Sequence, residues 1–233
     1  MMNSLTILTL KRAGLIIMLI HYLFWGCSKD SLHQAEMFYG YFPTTPGHFV
    51  IYEVDSVVYD DFTGQILTYK YQVKEHIESS FIDGEGTQSL RLERFIRLTP
   101  AAPWEIKDIW QARRLPMRAE KTEENITFIK LVFPPHQGRG WNGNAYNTLA
   151  AQNYRITEAH KPFQIAPSLS FDSTLTVLQR EFITLISEDY QLERYAKNIG
   201  MIFRRYRSVS KRLNGTITGG VDYTYRIISH GKK

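Results

Sequence analysis

From Phe49 onward the chain alternates apolar and polar residues with a period of two, the pattern of strands that bury one face. Phe49–Tyr59 reads as a strand ended by Asp60-Asp61 and Gly64. Ile66–Ile77 follows, with Ile66, Thr68 and Lys70 on one face and Leu67, Tyr69, Tyr71 and Val73 on the other. Asp83-Gly84-Glu85-Gly86 is a hairpin turn. Beyond it Leu90, Leu92, Ile96 and Leu98 alternate with Arg91, Glu93, Phe95 and Arg97, and Arg94 breaks the apolar series. Asp108–Arg114 and Leu115–Glu120 read as short strands around Pro116, and Asn125–Phe133 is almost wholly β-branched or aromatic. His136–Thr148 is a Gly/Asn-rich loop around Trp141 and Tyr146. Tyr154–Ala159, Phe171–Ile186, Met201–Val209 and Val221–Ile228 complete the strands. Asp189–Asn198 reads as one or two helical turns, with Leu192, Tyr195 and Ala196 on one face and Gly200 as C-cap.

Eight to eleven strands at this spacing, without a long helix or a repeat, specify an all-β, mainly antiparallel fold with at most one or two short helices. A sheet that long must curl, split or close to bury a face and limit its edges. A barrel or half-barrel is the expected architecture, and a two-sheet β-sandwich is the alternative.

The amino terminus has a different pattern. Lys11-Arg12 precedes the uncharged stretch Ala13–Gly26, whose fourteen residues as a helix span about 21 Å, short of the roughly 30 Å hydrocarbon core. A basic segment, a short apolar segment and a small residue at the exit describe a secretory signal peptide. Leu23-Phe24-Trp25-Gly26 leads into Cys27, the chain's one cysteine, then Ser28-Lys29-Asp30. This resembles a bacterial lipoprotein signal with its lipobox, although Trp25 and Phe24 are bulkier than the usual residues there. The resemblance implies removal of residues 1–26, acylation of Cys27, residues 27–37 as a lipidated flexible tether, and one β-rich domain over residues 38–233. Two or three acyl chains give stable anchoring. The phrases YFPTTPGHFVIYEV, WNGNAYNT and ERYAKNIGMIF are similar to those of exported Bacteroidetes lipoproteins, a group that brings no assigned activity.

Loss of residues 1–26 lowers the formal net charge from +5 to +3, because that segment holds Lys11 and Arg12 and no acid. A mildly basic domain in the envelope argues against nucleic acid as a partner. With no cysteine after Cys27, stability rests on packing and sheet hydrogen bonds.

Chemistry-bearing motifs are sparse. The seven histidines show no metal-ligand spacing, and neither GxSxG nor a P-loop is present. Glu75-His76-Ile77-Glu78 reads as a solvated strand end, Asp60-Asp61 and Glu123-Glu124 as surface turns or edges, and Arg204-Arg205-Tyr206-Arg207 with Lys211-Arg212 as a solvated basic face. No catalytic residue, metal site or cofactor is expected. The His136–Thr148 loop is the place to look for a ligand, with Trp141, Asn144 and Tyr146 as its recognition residues. The same residues also suit a tight loop that plugs a barrel end.

The expected protein is therefore a membrane-anchored envelope lipoprotein, most naturally of the outer membrane, periplasmic or surface-exposed. Its non-catalytic domain binds an apolar or amphipathic, lipid-like ligand, or an envelope protein partner as an accessory subunit. An envelope hydrolase with a site assembled from distant residues is the rival. An aromatic-lined interior favours a carrier; a filled core with an exposed apolar patch favours partner docking.

Overall fold

The computed structural model describes residues 36–233; the expected signal peptide, Cys27 and most of the tether lie outside the described residues. Twelve antiparallel strands form one sheet that curls into a nearly closed barrel, and the one helical element among the described residues is the 3-10 turn Tyr39–Tyr41. The strands are β1 (His48–Tyr59), β2 (Ile66–Ile82), β3 (Gln88–Arg97), β4 (Glu105–Arg114), β5 (Arg118–Glu123) and β6 (Ile126–Val132). They continue as β7 (Gly140–Asn142), β8 (Asn153–Ala166), β9 (Leu169–Ile183), β10 (Ser187–Ala196), β11 (Gly200–Lys211) and β12 (Ile217–Lys232). Every strand follows its neighbour except at the centre, where β1 pairs with β12 and joins the two halves.

The helical turn expected at Asp189–Asn198 is instead β10, paired to β9 and β11. The register shifts at Gln191/Leu192 and Arg194/Tyr195 leave Gln179 of β9 and Ile202 of β11 as the bulged residues, and β10 itself runs through as a strand. Gly200 does turn the chain at φ 92°, but between two strands. Strand β8 runs seven residues past its expected end at Ala159, through four register shifts that hide the alternation.

The free edges of the sheet, β6 and β7, are stitched through the loop after β7. Ile129 N–H donates to Gly143 O (2.9 Å), and Trp141 Nε1 donates back to Ile129 O (2.9 Å). Asn147 Nδ2 donates to Thr127 O (2.8 Å). Closure of this kind removes the exposed edges that invite aggregation.

One end of the barrel is corked by the segment that leads into β1. Tyr41 is wholly buried there, with its hydroxyl bonded to His160 Nδ1 (2.9 Å) and Ser173 Oγ (2.7 Å). Arg114 donates to the carbonyls of Tyr39 and Phe42, and Asn198 N–H donates to Gly40 O (2.7 Å). The sequence signal for this cork was the aromatic run Phe38–Phe42.

Outward faces of the strands carry ion pairs: Arg226 with Asp55, Lys70 with Glu53 at 3.2 Å, Arg194 with Glu158 at 2.8 Å. A bilayer-spanning barrel presents an apolar band there. This barrel faces water.

Candidate functional site: a charged interior and an open apolar end

Twelve strands enclose a wider space than aliphatic side chains fill, and long polar residues occupy the middle of it. Cross-strand register sets Glu75 opposite Arg94, Arg94 opposite Asp108, and Glu193 opposite Arg204, all on the inner face. Glu75 binds Lys121 (2.7 Å) and Arg94 (3.2 Å), and Arg94 binds Asp108 (2.6 Å). Lys130 binds Glu193 (2.7 Å) and approaches Glu123 (3.5 Å), while Tyr195 donates to Glu193 (2.6 Å). Arg204 stands 3.6 Å from Glu193 and 3.7 Å from Glu123. Four cations face four carboxylates, so the interior is balanced.

That balance holds the groups charged. Burial pushes the Glu123 carboxyl up, but Lys130, Arg204 and Lys121 outweigh it and bring it down to about 2. Glu75 and Glu193 are likewise held below the usual carboxylate range: burial opposes this, and Lys121 and Arg94 beside Glu75, with Lys130 and Arg204 beside Glu193, prevail. Burial alone would lower the Lys130 ammonium, yet Glu123 and Glu193 raise it.

Three expectations are corrected here. Glu75 is not at a solvated strand end, Glu123 is not a surface acid, and Arg204 does not belong to a solvated basic face. All three point into the barrel, where opposite charges pair them. Arg205 and Arg207 do lie on the outer face, where both bind Asp222. Arg94, the exception in its strand's apolar series, is the inward charge that the sequence did display.

Beneath the cork lies a cavity of about 80 Å³ that touches Phe42, Tyr52, Glu75, Lys130, Glu193 and Arg204. Val50, Ile77, Leu90, Leu92 and Met201 complete its walls, and ligand pockets run to several hundred Å³. Three carboxylates do converge, the arrangement that would favour a hydrolase. A general acid or base needs a pKa near the working pH, however, and these are locked well below it.

The three loop residues singled out by sequence sit at the barrel seam. Trp141 meets Tyr154 edge-on at 5.9 Å in addition to its bond to Ile129. Asn144 is buried, and its Nδ2 donates to Ala150 O (2.6 Å). Tyr146 is 53% exposed, with the Arg118 guanidinium 4.3 Å over its ring. The loop's polar groups are thus largely engaged with its own backbone and with β6.

The end opposite the cork is different. Beyond the Gln72–Arg97 pair, β2 pairs with β1 alone, and it continues with β1, β12, β11 and β10 as an open half-barrel. Register places Tyr69, Ser56, Tyr223, Tyr206 and Gln191 in one row across its inner face. Tyr206 and Tyr223 stack at 4.8 Å, and Tyr69 is 48% exposed. Five of the six turns at this end carry exposed large hydrophobics, among them Phe62 (95%), Leu98, Leu149, Leu185 and Leu213 (78%). Turns at the corked end are mostly polar, as in Asp83–Thr87 and Lys197-Asn198.

No family model and no curated protein matches the chain. Two solved structures are similar to it in outline. One is a "putative exported protein" with a YmcC-like fold from Bacteroides fragilis, 10% identical over 82% of this chain and 98% of its own, with a TM-score of 0.44. The other is a "putative lipoprotein" from Parabacteroides distasonis, 12% identical over the same shares, with a TM-score of 0.45.

Proposed function

We propose that the protein is a non-catalytic cell-envelope domain, fastened to a membrane through acyl chains on Cys27, that docks a protein partner through its open end. The observation that carries this reading is the contrast between a filled, ionic interior and an apolar, tyrosine-lined opening. A lipid carrier needs a cavity of several hundred Å³, and the interior space here is about 80 Å³, with Glu75, Lys130, Glu193 and Arg204 among its lining. A broad surface of exposed aliphatics and tyrosines suits a protein face, where Tyr contributes both flat contact area and a hydrogen-bonding tip. Glu36, where the described residues begin, stands at the corked end beside Lys197, opposite the docking surface.

Two measurements test the proposal. Metabolic labelling with a clickable fatty acid is expected to mark the wild type and not Cys27→Ala; equal labelling of both removes the anchor. A photo-crosslinking residue at position 62 or 213, in intact envelopes, is expected to give one discrete adduct that a probe at position 161 does not give. Identical patterns from rim and control positions remove the docking role.

A further inference from the structure

We infer that the partner at the open end is a second copy of this chain, seated rim to rim about a two-fold axis. This rests on the reading of that end as a docking surface. The β1–β2 turn presents Asp61 and the 95%-exposed Phe62; the β11–β12 turn presents Arg212 and the 78%-exposed Leu213. Strands β1 and β12 are hydrogen-bonded neighbours, so the two turns stand side by side. Asp61 leans against β12, where a Cβ added at Gly219 would meet its Cβ at 2.8 Å. Neither Asp61 nor Arg212 takes part in an ion pair among the described residues.

Adjacent tips therefore each carry one free charge of opposite sign and one nearly bare apolar side chain. A two-fold axis between them sets Asp61-Phe62 of one copy against Arg212-Leu213 of the other, twice over. That self-complementarity is what an isologous interface requires. A bilayer is the less suitable occupant, because Asp60 and Asp61 directly precede Phe62 and anionic headgroups repel them.

Residues 36–233 contain all twelve strands and the buried clusters that pack them, so this fragment serves for sedimentation equilibrium. The expected result is a dimer at tens of micromolar with twice the monomer mass. Asp61→Lys and Arg212→Asp, both at exposed turn positions, are each expected to be monomeric. An equimolar mixture of the two, or the double variant, is expected to recover the dimer. A monomer at every concentration overturns the inference, as do single charge reversals that leave the dimer intact. Flotation with anionic vesicles in place of self-association overturns it as well. A monomer whose position-62 crosslink in envelopes persists overturns the second copy alone and leaves partner docking standing.

Discussion

Replacing Lys130 with Met tests whether the charged interior is a balanced unit. Lys130 keeps 5% of its side chain accessible and serves both Glu193 at 2.7 Å and Glu123 at 3.5 Å. Met matches its length and apolar stem, so packing is nearly kept while four cations become three against four carboxylates. Removing one member of a buried pair costs about 3–5 kcal/mol, because the partner's desolvation is left uncompensated. For a domain of this size each kcal/mol moves Tm by about 2–4 °C, so the expected drop is roughly 6–20 °C. The double variant Lys130→Met/Glu193→Gln restores the balance and is expected to recover at least half of that loss. Chemical denaturation of all three variants gives the cycle. A single substitution costing under about 1 kcal/mol, or a double variant no better than the single, refutes the reasoning.

Acid should act through the same unit. The folded Glu123 carboxyl lies at about 2, below its ordinary 4.5, so its contribution of about 3 kcal/mol is complete above pH 4.5 and lost as pH falls toward 2. Glu123→Gln is expected to flatten that acid limb in unfolding curves taken between pH 6 and pH 2. Tyr41→Phe removes the bonds to His160 and Ser173 and is expected to cost about 1–2 kcal/mol by denaturant titration, far less than the 3–5 kcal/mol of Tyr41→Ala. Trp141→Phe keeps the ring and loses the bond to Ile129 O, so amide exchange at Ile129 and Gly143 should quicken while β1 stays protected. Gly220→Ala places a Cβ 2.2 Å from Ser208 O at φ 115°, and a loss of at least about 2 kcal/mol is expected in the same titration.

The strands were legible because one face of each is buried, and Phe49–Tyr59, Ile66–Ile77 and Asn125–Phe133 all appear within a few residues of their expected bounds. What misled was of two kinds. Bulges in β8 shift the alternation by one residue, and from there the strand looks short; in β10 the spacing of Leu192, Tyr195 and Ala196 imitates a helical face. The other failure concerned charge. Glu75, Glu123 and Arg204 sit on inward faces of a wide barrel; Glu123 with Lys130 and Arg204 with Glu193 pair across single hairpins, but Glu75 meets Lys121 46 residues away and Lys130 meets Glu193 63 residues away. No local pattern marks a charge as buried when its counter-ion arrives from another hairpin. The apolar side chains of the rim, Phe62, Leu98, Leu185 and Leu213, are scattered along the sequence without a pattern, and only the up-and-down topology gathers their turns at one end.

The cork also decides how the molecule bears a mechanical load. Any pull on the chain upstream of Glu36 reaches the Gly40–Asn198 and Arg114 hydrogen bonds and the seated Tyr41 ring before it reaches a strand. Traction applied there would draw the stopper first and wet the chamber beneath it, while the woven wall of the barrel stayed intact.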